Sequence, residues 1–153
     1  MKLHGQEINA LQEREVVFSR PNGDITFKVR GVVTFEDYTG KFPKPEPPTR
    51  SYPDGREESD HEDLAYVKDL GAWVHGQTAW LIVESLKVTE GLEWDTVDVN
   101  DYHTYGNYES ELLASGFTMM DINRIVNEVN IVNGFSQEMV EGARKSFLPT
   151  AGQ

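Results

Sequence analysis

The 153-residue sequence contains no cysteine. Disulfide bonds, thiolate nucleophiles and cysteine-based zinc sites are therefore excluded. The sequence also lacks any apolar run near the roughly 18 residues that a membrane-spanning helix needs. Its first residues, MKLHGQEINALQERE, contain no apolar signal-peptide core. We therefore expect a protein of the cytosol that does not enter a membrane.

Basic residues are scarce. The chain has 14 Lys and Arg against 26 Asp and Glu, which gives a formal net charge of −12. The acidic residues are scattered through amphipathic sequence and form no separate tail. Nucleic acids and anionic membranes are bound through basic surfaces, so we expect neither as a partner. The length suits one domain with one apolar core.

Two runs of alternating residues predict a β-hairpin near the N-terminus. The runs EVVFSR and ITFKVRGVV have the two-residue period of strands, and Ile25, Phe27 and Val29 share one face. Asn22 and Gly23 lie between the runs and favour a tight two-residue turn. Residues 1–15 are polar and suit a loose arm or a short helix. An isolated hairpin is only marginally stable, so its apolar face must pack on helices or on a partner.

Prolines dominate the segment that follows. FEDYTGKF predicts one helical turn, and the next 17 residues carry prolines at positions 43, 45, 47, 48 and 53. Proline removes a backbone donor and favours extended polyproline II structure. Residues 43–60 are therefore predicted to be a linker or arm without regular hydrogen-bonded structure.

A long helix is predicted over residues 61–91. Ser59 or Asp60 is expected to cap its start, and Gly91 is placed to end it. Apolar and small residues recur along it at helical spacing, which predicts a continuous stripe. The stripe consists of Leu64, Val67, Gly71, Val74, Thr78, Leu81, Ile82 and Ser85.

Three aromatic residues widen this stripe. Tyr66, Trp73 and Trp80 extend it around the helix, so we expect burial on more than one side. Gly71 and Gly76 each weaken the helix interior by about 1 kcal/mol relative to alanine. The helix is therefore expected to kink at these glycines or to accept another backbone closely there.

The remainder of the chain predicts a loop and three shorter helices. Residues 92–107 suit an ordered loop with an extended piece, and residues 94–99 could add a third strand to the hairpin. Short helices are predicted at 108–115, at 118–132 with a capping box at its start, and at 136–148.

These patterns predict an α+β fold with a small strand-rich start and a bundle of about four helices. The predicted organisation is an N-terminal β-hairpin region over residues 1–42, a Pro-rich linker or arm over 43–60, a helical domain over 61–148 and a tail over 149–153.

No constellation of residues predicts catalysis. His61, His75 and His103 lack the close spacing of metal-binding pairs. Residues 98–109 imitate a calcium loop, but His103 stands where that loop requires glycine. We therefore expect no catalytic residue, no metal site and no cofactor.

The order of features resembles that of tail assembly chaperones of long-tailed bacteriophages. The resemblance covers roughly residues 14–148. It depends on the segments PKPEPP, SLKVTEGLEWDTVD, GFTMMDINRIVNEVN and VNGFSQEMVEGARKSFL. Proteins of this family are thought to bind the tape-measure protein and keep it soluble while tail-tube subunits polymerise around it. The resemblance implies a non-enzymatic viral protein of the host bacterial cytoplasm.

The resemblance implies the tape-measure protein as partner and makes the tail-tube protein the candidate for a second one. A long helical client would dock on apolar side chains that the core does not need. The candidate partner-binding residues are Tyr66, Trp73, Trp80, Leu92 and Trp94. Large aromatic residues are more often buried in a core, which is the competing interpretation for each of them.

Two other functions fit an acidic protein without catalytic residues. A structural virion component or tail adaptor would be present in finished particles. An acidic DNA mimic that inhibits a host nuclease would space its carboxylates along one face like phosphates. Lys and Arg are interspersed among the acidic residues, which counts against the mimic.

Overall fold

The computed structural model describes residues 1–134, and the helix and tail expected beyond them lie outside the described residues. The predicted α+β class is confirmed. The strands are β1 (Lys2–Leu3), β2 (Gln6–Glu7), β3 (Glu13–Arg20), β4 (Gly23–Arg30), β5 (Thr49–Ser51) and β6 (Glu57–Ser59). The helices are α1 (Glu36–Lys41), α2 (Leu64–Leu86), a 3₁₀ helix (Tyr102–Asn107), α3 (Tyr108–Ala114) and α4 (Met119–Val132).

The predicted N-terminal hairpin is formed by β3 and β4. The two strands pair antiparallel, and the last pair before the turn joins Arg20 to Gly23. The loop residues are Pro21 and Asn22, one position earlier than predicted. Proline suits the first loop position because its φ is fixed. Gly23 then takes a φ of +120°, which residues other than glycine rarely adopt.

One face of the hairpin is buried against the helices. Val16, Phe18, Phe27 and Val29 lie in the core, whereas Ile25 at the turn end is partly exposed. These residues join one core cluster with the second half of α2 and with α4. The α4 contribution consists of Ile122, Ile125, Val129 and Val132. The hairpin region and the helical region therefore share a single core.

Two arginines of β3 hold α4 across the hairpin. Arg20 donates to Asp121 in the first turn of α4 at 2.7 Å, and Arg14 forms an ion pair with Glu128 two turns later. Asp121 also completes the predicted capping box with Thr118, which is confirmed. The same carboxylate therefore caps α4 and binds it to β3.

The start of α2 differs from the prediction. The capping residue is Asp63, whose carboxylate accepts from the backbone N–H of Tyr66 at 2.9 Å. Asp60 and Ser59 belong instead to the β5–β6 ribbon: Ser59 is its last strand residue, and the backbone N–H of Asp60 donates to the Pro48 carbonyl at 2.7 Å. The two predicted caps, Ser59 and Asp60, therefore lie four and three residues too early.

The end of α2 and the expected third strand also differ. The helix ends at Leu86, not at Gly91, and Gly91 lies in the turn that follows with a φ of +72°. In that turn the Thr89 hydroxyl accepts from the backbone N–H of Lys28 and donates to its carbonyl oxygen, both at 2.9 Å. At Lys28, the outer edge of β4 is therefore hydrogen-bonded to a side chain and not to another strand. Residues 94–99 form no strand, so the predicted third strand is wrong.

Two predictions of irregular structure are corrected. The second half of the 43–60 arm contains the β5–β6 ribbon, closed by a turn in which Gly55 has a φ of +86°. Proline excludes regular structure only at its own position, and neither β5 nor β6 contains one. Pro53 lies in the turn between them, directly before an Asp-Gly turn sequence. Residues 1–15 were expected as a loose arm or short helix, but they contain the β1–β2 ribbon and the start of β3.

The predicted loop over residues 92–107 is right only as far as Asp101. The 3₁₀ helix follows, and it buries Tyr105. The single hydroxyl proton of Tyr105 is shared between two acceptors, the carboxylate of Glu84 at 2.9 Å and the carbonyl of Val99 at 3.0 Å. Burial, together with the hydrogen bond to Glu84, raises the pKa of Tyr105, so the hydroxyl keeps its proton and remains a donor.

Candidate protein-binding surface

Helix α2 leaves the core halfway along its length. All its buried residues lie between Ala79 and Leu86, and none lies in the first fifteen residues, 64–78. The second half is enclosed because β4, α4 and the 3₁₀ helix pack against it. The first half projects beyond that enclosure and carries apolar side chains with it.

We name the exposed face of this projecting half the α2 seam. It consists of Leu64, Val67, Gly71, Val74 and Thr78, all of them exposed. Their spacing alternates between three and four residues, which is the pattern of the contact positions of a coiled coil. The exposed fractions of Leu64, Val67 and Val74 are 86%, 50% and 48%. A Cβ atom added to Gly71 would meet no atom within 4 Å. The seam therefore presents both side chains and open space to a partner.

The chain leading into the seam is strongly acidic. Residues 54–63 contain six acidic residues and one basic residue. Asp60 and Glu58 form ion pairs with Arg50 and Arg56. In the described part of the chain, Glu57 and Glu62 have no such partner. The N-terminal end of the seam is therefore a region of negative potential.

An aromatic groove of about 350 Å³ lies on another side of the same helix. We define it by Tyr38, Phe42, Trp73, Tyr102 and His103, which line it. The Trp73 indole donates to the carbonyl of Phe42, and the Tyr38 hydroxyl donates to the carbonyl of Trp73, both at 2.7 Å. These bonds attach α1 to α2 and fix the rings. Gly76 lets the Tyr38 hydroxyl approach α2, since an added Cβ would lie 2.6 Å from it.

The five predicted partner-binding residues are not gathered in one place. Tyr66 and Trp73 lie on the projecting half of α2 and are half-buried. Trp73 lines the aromatic groove, whereas the ring of Tyr66 packs on His61 with centroids 5.9 Å apart. Both residues therefore flank the seam without belonging to it.

The other three predicted residues pack with the core. Trp80 is only 2% exposed and lies against the rings of Phe35 and Tyr102, so it offers no surface to a partner. Leu92 and Trp94 are half-buried against the core. For these three residues the core interpretation accounts for their position.

A carboxylate of α3 holds the loop that carries Trp94. Glu111 accepts from the backbone N–H groups of Asp95 and Thr96 and from the Thr96 hydroxyl. Burial raises the pKa of Glu111, but these hydrogen bonds outweigh it and leave the pKa below its ordinary value. The acidic loop is therefore fixed by an ionised carboxylate.

The described residues hold no group of three or more His, Asp or Glu side chains arranged to bind a metal ion. Within residues 1–134, none of the helices combines the length and the apolar character that crossing a membrane requires.

The helical spacing of the sequence predicted the stripe of α2, but aromatic residues were preferred as the candidates for partner binding. Val67 and Val74 stood in that stripe without being singled out, and heptad spacing was the signal that could have identified them. Tyr38 and Tyr102 of the aromatic groove were missed because only tertiary packing brings them beside Trp73.

Comparison of the chain with protein-family models, with curated proteins and with solved structures found no match.

Proposed function

We propose that this protein is a non-enzymatic tail assembly chaperone of a long-tailed bacteriophage. It binds the tape-measure protein in the cytoplasm of the host bacterium and keeps it soluble while the tail tube forms. The tail-tube protein is the candidate second partner. The proposal starts from the order of sequence features that resembles this family of chaperones.

The observation that carries the proposal is the α2 seam. A holding chaperone for a helical client needs apolar surface outside its own core, and residues 64–78 provide it on a helix that is anchored by its second half. Helix-in-groove recognition uses apolar anchors at this spacing. The net charge of −12 keeps a protein with exposed apolar surface apart from its own copies.

Co-expression with the tape-measure protein of the same phage tests the proposal. The wild-type chain is expected to raise the soluble fraction of the tape-measure protein and to co-elute with it in size-exclusion chromatography. The double variant Val67→Glu/Val74→Glu is expected to lose both effects, because it places two charges on the apolar seam.

The matched control is Val33→Glu. Val33 is 85% exposed and lies outside the seam, so this variant introduces the same change of chemistry elsewhere. It is expected to behave like the wild type. Circular dichroism of the three purified proteins verifies that each remains folded. An insoluble tape-measure protein in the presence of the wild-type chain, with this chain instead present in finished particles, would favour the structural virion component.

A further inference from the structure

We propose that the α2 seam binds one amphipathic helix of about 15 residues in antiparallel orientation, and that the C-terminal turns of this helix carry Lys or Arg. The inference rests on the proposed function, because it describes the client segment that such a chaperone would hold. It goes further by stating where the segment lies, which way it runs and what chemistry it has.

The length of the partner follows from the length of the unburied half of α2. Residues 64–78 are fifteen residues of continuous helix. At 1.5 Å per residue they extend about 22 Å, which corresponds to two heptads. Beyond Thr78 the same stripe continues into Leu81 and Ser85, which the core already covers. A partner helix therefore meets the seam only over this length.

The shape of the seam determines which side chains the partner needs. Leu64, Val67 and Val74 protrude, whereas Gly71 and Thr78 are small and leave hollows between them. The Thr78 hydroxyl is turned back to the Val74 carbonyl at 3.0 Å and is satisfied within the helix. Large aliphatic side chains of a partner fill such hollows in knobs-into-holes packing.

The charge around the seam determines the direction of the partner. Glu57 and Glu62 belong to the acidic stretch at the N-terminal end, and no Lys or Arg occurs between residues 70 and 80. Basic residues of a partner are therefore attracted to the N-terminal end of α2. Basic residues also stabilise a helix when they stand in its own last turn. Both conditions are met when the C-terminus of the partner lies beside the N-terminus of α2.

A second copy of this chain does not have the required chemistry. In antiparallel pairing its residues 70–80 would face the acidic stretch, and they contribute no Lys or Arg. In parallel pairing the two acidic stretches would face each other, which opposes association. We therefore assign the seam to a different, basic partner.

Two synthetic peptides test the inference directly on the full-length protein. Both have two heptads with Leu at the contact positions, the same composition and a side-chain lactam that keeps them helical. One carries four Lys in its C-terminal turns, and the other carries them in its N-terminal turns. Circular dichroism verifies equal helicity, and sedimentation verifies that each peptide is monomeric. Fluorescence anisotropy then measures the Kd of each for this protein.

The C-terminal-Lys peptide is expected to bind about fivefold more tightly than its counterpart, and the difference is expected to shrink when salt is raised from about 50 mM to about 500 mM. Val67→Glu/Val74→Glu is expected to weaken binding about tenfold or more, and Val33→Glu to leave it unchanged. Equal affinity of the two peptides overturns the orientation. Unchanged affinity in the double variant overturns the seam as the site.

Sedimentation of the protein alone completes the test. A dimer of the wild type that dissociates in Val67→Glu/Val74→Glu would show that the seam binds a second copy, and would overturn the inference. The outcome is separable from that of the proposed function. If the peptide binds but the tape-measure protein stays insoluble, the seam is a helix-binding site and the chaperone role is wrong. If the tape-measure protein is solubilised but the peptide does not bind, the chaperone role holds and the seam is not the binding site.

Discussion

At the scale of single residues, the two glycines of α2 have opposite surroundings. Gly71 lies on the exposed seam, where an added Cβ would meet nothing within 4 Å. Gly76 faces the Tyr38 hydroxyl, which an added Cβ would approach to 2.6 Å. The helix continues without interruption through both positions, so Gly76 provides a close approach and neither glycine breaks the helix.

This difference predicts opposite responses to alanine. Gly71→Ala is expected to raise the free energy of unfolding by about 0.5–1 kcal/mol, because alanine has the higher helix propensity and meets no obstacle. Gly76→Ala is expected to be less stable than Gly71→Ala by about 1–2 kcal/mol, because Tyr38 must move and lose its bond to Trp73. Urea unfolding of the two variants measures this difference. Equal stabilisation by both substitutions would contradict the close contact at Gly76.

At the scale of elements, the loop over residues 94–97 depends on α3. Glu111 provides acceptors for three donors of that loop, and Asn107 adds a bond from its amide to the carbonyl of Thr96 at 3.2 Å. The loop has no partner strand, so these side-chain bonds take the place of the third strand that residues 94–99 were expected to add.

Glu111 predicts a pH dependence. Its folded-state pKa lies below the ordinary value, so its contribution to stability is present above about pH 4.3 and is lost as the pH falls through the folded-state pKa. Glu111→Gln is expected to cost about 1 kcal/mol at neutral pH, a modest figure because the site is partly exposed to solvent. The cost is expected to shrink at about pH 3, since the wild-type carboxylate is then becoming protonated.

Urea unfolding of wild type and Glu111→Gln at both pH values measures this dependence. Glu93→Gln is the matched control, since Glu93 is an exposed residue of the same acidic segment. It is expected to cost little at either pH. A deficit for Glu111→Gln that is the same at both pH values would show that the carboxylate charge is not what holds the loop.

At the scale of the whole molecule, hairpin and helices depend on one core. Val29 of β4 is fully buried in the same cluster as residues of α2 and α4. Val29→Ala is expected to lower the free energy of unfolding by roughly 1.5–3 kcal/mol. Helix content by circular dichroism and the amide proton signals of β3 and β4 by NMR are expected to fall with the same shifted midpoint, because the core is common to both regions.

Val33→Ala provides the comparison. Val33 is 85% exposed, so this truncation removes the same methyl groups from water-exposed surface and is expected to change stability by less than about 0.5 kcal/mol. If Val29→Ala melts the hairpin while the helical signal keeps its wild-type midpoint, the two regions unfold separately and the single-core description fails.

Local patterns predicted much of the fold because the interactions behind them are local. The alternation in EVVFSR and ITFKVRGVV identified the hairpin, and Thr118 with Asp121 identified the start of α4. The predicted cap of α2 was wrong because Asp60 continues the pairing of the β5–β6 ribbon, where its backbone N–H donates to the carbonyl of Pro48 twelve residues earlier. The 3₁₀ helix was missed because it is held by Tyr105, which is buried and hydrogen-bonded to Glu84. Glu84 lies 21 residues earlier in the chain.

The sequence by itself determined which residues of α2 share a face, since heptad spacing is a property of the helix alone. It also determined that the surface is acidic and that cysteine chemistry is absent. Only the tertiary structure decided which part of that face is covered. The stripe has the same spacing in both halves of α2, but β4, α4 and the 3₁₀ helix pack against the half from Ala79 onward and leave the seam exposed. Periodicity predicts which residues share a face of a helix, whereas the burial of that face depends on contacts between segments that are distant in the chain.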